Sequence, residues 1–151
     1  MPTSRSRWGR YYWGLSFFVA WSVNTPWGHF SAASLDAAVF WPFVALFTVG
    51  VLGNGATHLQ LRRDRPKRYT HYPTGVLFSL VSCPHYTFEV LTWLSFTGAS
   101  QTYAAALFAL ATLVTLAFYS KERHDKYREF FDGKAHALYP GHRKALVPFV
   151  F

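Results

Sequence analysis

Every lysine and arginine in this chain falls in one of three blocks, and four apolar runs separate or flank those blocks. Arg5, Arg7 and Arg10 come first. Arg62, Arg63, Arg65, Lys67 and Arg68 form the second block, and Lys121, Arg123, Lys126, Arg128, Lys134, Arg143 and Lys144 the third, which accounts for all 15. The apolar runs cover about residues 11–24, 35–61, 75–96 and 103–119. Each is near the ~20 residues that a helix needs to cross the hydrocarbon core; the first is short unless Trp8 and Trp27 extend it as interfacial anchors. Pro42 and the glycines at 50, 53 and 55 interrupt the second run, Pro84 lies in the third, and the fourth is clean. If all four cross, every basic residue lies on one side, and the positive-inside rule puts that side and both termini in the cytoplasm or its equivalent. The expected fold is all-α: a polytopic membrane protein of about four transmembrane helices with basic cytoplasmic-side loops, forming a single membrane domain over 1–151.

Composition supports this and narrows the function. The chain is 51% hydrophobic and 15% charged, against about a quarter charged in a soluble domain. A soluble bundle does not predict such one-sided charge. A net charge of +8 can signal nucleic acid, but here the basic residues flank apolar runs. Membrane lipid headgroups are the simpler partner, and a phosphate-rich cofactor or coenzyme A thioester the more informative one. The lone Cys83 excludes an internal disulfide. The basic N-terminus lacks a small-residue cleavage site after its apolar stretch, so no removable signal peptide is expected.

Polar residues inside apolar spans are costly and point to function. Ser82, His85, Glu89 and Trp93 fall at i, i+3, i+7 and i+11, one helical face, with Tyr86 beside it. Glu89 is the only acid well inside a run; Asp36 sits where it can cap a helix. Asn54, His58, Leu61 and Arg65 fall at i, i+4, i+7 and i+11, a track of donors leading into the basic loop. Both sets also admit a plainer reading as helix-packing hydrogen bonds and a snorkelling arginine. Gly53-Asn54-Gly55 is not a dinucleotide fingerprint, which needs three glycines in a βαβ unit. His58, His85 and His124 lack zinc spacing and a thiolate pair, so no metal is expected. A nucleotide site must be built from membrane helices and their basic ends.

Several ordered blocks resemble the steroid 5α-reductase family. Gly53-Asn54 with His58 and Leu61-Arg62-Arg63-Asp64-Arg65-Pro66 are similar to its helix-to-loop motif. Tyr72-Pro73, Leu77-Phe78 and Val81-Ser82-Cys83-Pro84-His85-Tyr86-Thr87-Phe88-Glu89-Val90 follow, then Trp93, Phe96 and Gln101. His124, Tyr127, Phe130, Tyr139-Pro140 and Arg143-Lys144-Ala145-Leu146-Val147-Pro148-Phe149 close the match. The Ser-Cys-Pro-x-Tyr-Thr-x-Glu version looks most like the very-long-chain trans-2-enoyl-CoA reductase branch, as do Tyr11-Tyr12-Trp13-Gly14 and Asn24 with Pro26.

The resemblance implies a membrane reductase that uses NADPH to saturate a C=C bond conjugated to a carbonyl, in a long-chain enoyl thioester or a sterol-like substrate. It matches Asn54, His58, Arg65, His85, Tyr127 and Arg143 to cofactor-contacting positions, with Arg65 and Arg143 converging on the phosphates. It matches Tyr86 to a proton donor and Glu89 to a site carboxylate. In this chain His85 stands where the family more often has asparagine, and His58 where steroid-type members carry an acid. Residues 133–137 look inserted, and the family's N-terminal half is expected to be missing. A protein partner supplying that half is therefore expected if the chain is active. The alternative is a non-catalytic relative serving as an accessory subunit of a larger membrane complex. The resemblance implies the endoplasmic reticulum for the enzyme; an accessory subunit would fit the mitochondrial inner membrane.

Overall fold

The computed structural model describes residues 4–29, 35–64, 71–132 and 139–147, with side chains from residue 13 onward in the first helix. Four helices carry the fold: α1 (Ser4–Val23), α2 (Ala37–Asp64), α3 (Pro84–Ser100) and α4 (Tyr103–Phe131). Among the described residues the only β contacts are two isolated bridges, His29 with Thr102 and Val81 with Lys144.

Asp36 starts α2 as its sequence position implies, its Oδ1 accepting from the Ala38 amide at 3.4 Å. The helix then runs unbroken through Pro42 and the three glycines to Asp64. At 1.5 Å per residue its 28 residues span roughly 42 Å, more than the ~30 Å hydrocarbon core. The fourth apolar run also proves too short an estimate, because α4 continues past Tyr119 to Phe131. Its charged extension carries i,i+4 pairs Lys121–Asp125 (2.8 Å), Lys126–Glu122 and Arg128–Asp132 (3.7 Å). Solvent screens exposed pairs of this kind, so they help propagate a helix but do not anchor it.

The third run is where the structure departs most from the hydropathy. Residues 75–83 are not helical: a 3₁₀ turn at Val76–Phe78 follows Gly75, whose φ of 126° suits only glycine. From there the chain extends alongside the C-terminal tail, with Ser82 N–H donating to Lys144 O (2.8 Å) and Lys144 N–H to Leu80 O (3.0 Å). Ser82 therefore does not share a helical face with His85, Glu89 and Trp93. Pro84 is the physical reason. It has no N–H, is most readily accepted in the first turn of a helix, and disfavours the helical region for the residue before it, here Cys83 at φ −129° and ψ 62°. Gln101, in the left-handed conformation (φ 51°), ends α3. Thr102 caps α4 by accepting from the Ala105 amide.

α2 packs on α3, α3 on α4, and α1 on α4. The α1 contact is a cluster of Val19, Ala104 and Phe108 ringed by Leu15, Val23, Trp93 and Phe96. Elsewhere the helices turn large apolar side chains outward: Trp13, Phe17 and Trp21 on α1, Trp41, Val49, Leu52 and Leu59 on α2, Leu107, Leu110 and Phe118 on α4. α2 and α4 are each long and apolar enough to cross a membrane, and only 6% of the apolar window of α2 is buried within the fold. The core helix of a soluble protein would be covered, so the exposure of α2 fits an integral membrane protein; the apolar window of α4 is 39% buried.

Close approach of α2 to α3 depends on missing side chains. A methyl on Gly50 would meet the Thr92 nitrogen at 3.0 Å and the Phe88 carbonyl oxygen at 3.1 Å, whereas one on Gly55 meets nothing within 4 Å. Gly50→Ala should therefore destabilise by about 1–3 kcal/mol through overpacking, and Gly55→Ala should stabilise by about 0.5–1 kcal/mol through helix propensity. Thermal unfolding in detergent, followed by circular dichroism, checks this; shifts of the same sign would refute the crossing.

Candidate active site

The C-terminal ends of α2 and α4 enclose a cleft of about 630 Å³. His58, Leu61, Arg62 and Asp64 line it from α2, and His71 and Pro73 from the segment after it. Arg123, Lys126, Tyr127 and Phe130 line it from α4 at i, i+3, i+4 and i+7, a single helical face. Phe131 completes an apolar wall. Arg62, Arg123 and Lys126, the last also paired with Glu122, outnumber the one carboxylate in the lining, a balance that favours an anion, and the aromatic wall suits a flat ring system.

From the cleft wall, His58 reaches α3. The His58 ring centroid lies 5.2 Å from that of His85, which in turn lies 4.1 Å from that of Tyr86. Asn54 Nδ2 donates to the His85 carbonyl at 2.9 Å and fixes this junction. His85 Nδ1 is buried without a hydrogen-bond partner. Asn54, His58, His85 and Tyr86 thus form one cluster. Glu89 is half-buried and lies one turn beyond Tyr86 on the same helix.

Arg143 is 6% exposed and is not among the residues that line the cleft. Its guanidinium sits over Tyr72 (4.9 Å to the centroid) and Tyr139 (5.4 Å), and Nη1 donates to Pro73 O at 2.8 Å. It makes no ion pair among the described residues, and its Nε is buried without a partner. Arg65 lies outside the described residues, as do residues 133–137, so its convergence with Arg143 has no structural counterpart here. Tyr127, facing the cleft, stacks on Tyr139 at 5.8 Å and 24°. Burial pushes the Tyr127 hydroxyl up to about 12 and also raises that of Tyr139, where Ser82 and Arg143 pull the other way. Both phenols are un-ionised at neutral pH.

One node fastens this region. The Tyr139 hydroxyl donates to Ser82 Oγ at 2.7 Å, and Ser82 Oγ lies 2.6 Å from His124 Nδ1. Burial holds His124 below the ordinary imidazole range, with Asp125 opposing and the nearby cations adding to the effect. Thr87 Oγ1 donates to Leu146 O at 2.6 Å. Together these bonds lock the tail, α4 and the start of α3 into one body. Among the described residues no group of three or more His, Cys, Asp or Glu side chains could hold a metal ion.

Sequence reasoning missed Arg62, Arg123 and Lys126 as lining residues. It ended the fourth apolar run at Tyr119 and assigned the basic block that follows to lipid headgroups or a phosphate-rich cofactor without naming Arg123 or Lys126 as contacts. The i, i+3, i+4, i+7 spacing of Arg123, Lys126, Tyr127 and Phe130 was the available signal.

The cleft's volume lies within the usual range for ligand sites, and its cationic and aromatic lining is of a kind that a dinucleotide would suit. The family model described as 3-oxo-5-alpha-steroid 4-dehydrogenase matches residues 10–151. The very-long-chain enoyl-CoA reductase of Dictyostelium discoideum is 35% identical over 93% of this chain and 45% of its own length. The probable very-long-chain enoyl-CoA reductase art-1 of Caenorhabditis elegans is 36% identical over 93% of this chain and 46% of its own. The 3-oxo-5-alpha-steroid 4-dehydrogenase 1 of Rattus norvegicus is 39% identical over 70% of this chain and 40% of its own. The chain spans slightly under half the length of each of these relatives. With a family model matched from residue 10 to the last residue, the chain belongs to the 3-oxo-5-alpha-steroid 4-dehydrogenase family.

Proposed function

We propose that this chain is the cofactor-binding part of a membrane ene-reductase that takes NADPH and reduces a C=C bond conjugated to a carbonyl, in a long-chain enoyl thioester. The observation that carries this reading is a chain of contacts from the cleft that Arg62, Arg123 and Lys126 line, through His58 on its wall, to the His85 and Tyr86 rings of α3 behind it. Two enoyl-CoA reductases among the relatives support the thioester over a sterol.

In this reading NADPH, when bound, supplies the hydride. Arg62, Arg123 and Lys126 would hold its phosphates by charge-assisted hydrogen bonds. Tyr127 and Phe130 would pack on its rings, and His58, His85 and Asn54 would hold its reactive end near Tyr86. The Tyr86 hydroxyl would give a proton to the substrate's α-carbon, where reduction leaves negative charge shared with the carbonyl oxygen. The other half of the substrate pocket comes from a protein partner equivalent to the part of the relatives that this chain does not span. The four helices cross the membrane with the cleft and both termini on the cytoplasm-equivalent side. α4's charged extension then stands out of the bilayer as the cleft's outer wall.

Three measurements test these assignments. Arg123→Ala should weaken NADPH binding by roughly 10- to 150-fold at low salt, the loss of one charged contact of about 1.5–3 kcal/mol; quenching of intrinsic fluorescence reads it. An unchanged dissociation constant moves the phosphates elsewhere, and no binding by the parent chain favours a non-catalytic accessory subunit. Tyr86→Phe keeps the ring and removes the proton, so turnover of enoyl thioester should fall about 10²–10⁴-fold with cofactor affinity retained. That assay supplies the missing half in trans or by fusion; full activity in the variant rules out Tyr86 as donor. For topology, single cysteines at positions 63 and 142 in a Cys83→Ala background should label from the same face of sealed vesicles.

A further inference from the structure

His29 lies at the far end of the bundle from the cleft, and no part of the proposed chemistry uses it. Its Nδ1 is 3.0 Å from the carbonyl oxygen of Ser100 and its Nε2 is 3.1 Å from that of Val23. These are the last residues of α3 and α1. Terminal carbonyls have no partner within their own helix and form the negative end of its dipole. One ring therefore spans two helix C-termini.

The chain around it is shaped to put it there. After α1, Asn24 N–H bonds to Trp21 O (3.1 Å) and Thr25 N–H to Ser22 O (3.3 Å), and a 3₁₀ turn at Pro26–Gly28 folds the backbone back. Gly28 presses directly on the Ser22 carbonyl, leaving no room for a side chain. On the other side His29 forms an isolated antiparallel bridge with Thr102.

Both partners of the ring are acceptors, so both contacts need an N–H. A neutral imidazole has one and an imidazolium has two. We infer that His29 is a proton-dependent clasp, joining α1 to the α3–α4 corner by two hydrogen bonds when charged and by one when neutral. Among the described residues no ion pair involves it. In the described parts of residues 13–36 and 90–118 the only other titratable side chains are Asp36, before α2, and Tyr103, at the start of α4. The clasp matters because, among the described residues, α1 and the turn after it are otherwise held to α3 and α4 by a small apolar cluster and the His29–Thr102 bridge, with Trp13, Phe17 and Trp21 facing outward. On the proposed topology His29 reads the pH of the compartment opposite the cleft.

The sign follows from the bond count. The charged ring makes the extra bond only when α1 is docked, so docking is firmer when the ring is protonated at low pH and looser when it is neutral at high pH. Hydrogen exchange of the full chain in nanodiscs, corrected for intrinsic rates, should show the last turns of α1 about tenfold better protected at pH 5.5 than at pH 8.5, the effect of one charge-assisted bond. His29→Phe should abolish that difference. Equal protection of the parent chain at both pH values, or an undiminished difference in the variant, overturns the inference. If the variant does not fold, ¹⁵N spectra of histidine-labelled parent protein decide: two protonated ring nitrogens on His29 at pH 5.5 support the clasp, and a neutral tautomer sinks it.

Discussion

The close crossing of α2 and α3 is the constraint on which the candidate site depends. Gly50 and Gly53 leave a groove that Thr92 and Phe88 fill, and Gly98 of α3 receives the Phe43 ring of α2 in return. Apolar matching cannot drive two helices together in lipid as it does in water, so small residues and packing density must do it. That contact fixes the rotation of α2, and the rotation brings Asn54 to the His85 carbonyl and the His58 ring to the His85 ring. A thicker residue at 50 would separate the helices and open the cleft wall where Tyr86 meets it.

The second support is the tail. Residues 139–147 carry no regular element, yet Tyr139, Arg143, Ala145 and Leu146 are buried. The tail pairs with the extended stretch before α3, hydrogen-bonds to Thr87 on α3, and meets His124 through Ser82. Arg143 shows how such a position can mislead. An arginine near a basic loop reads as a phosphate ligand, but a guanidinium over two tyrosine rings, with one N–H on a carbonyl, is also a cross-brace for the wall behind the cleft. Its orphaned Nε leaves one donor for a ligand, so the two roles are compatible.

The two ends of the bundle differ in chemical character. At the cleft end, cations and aromatic rings meet at the surface, and α2 and α4 both outlast the ~30 Å of hydrocarbon. At the other end no lysine or arginine occurs, and backbone carbonyls, hydroxyls and one histidine make the contacts. Charge asymmetry of this kind orients a membrane protein, and it also isolates His29 from the charges that would otherwise mask its protonation.

By itself the sequence determined the helical class, the apolar runs, the cap at Asp36 and the clustering of all basic residues, because hydropathy, charge and capping are properties of residues and their near neighbours. It also carried the family likeness, since motif blocks preserve residue type and spacing. Tertiary structure alone decided where α3 begins, since Pro84 and the tail's pairing convert half of an apolar run into extended chain. It alone decided that Arg143 turns inward while Arg62, Arg123 and Lys126 face the cleft, because helix rotation and length beyond the bilayer set those directions. It alone brought His29 to Ser100, 71 residues away, because carbonyl acceptors are present at every residue and only the fold selects which two an imidazole will bridge.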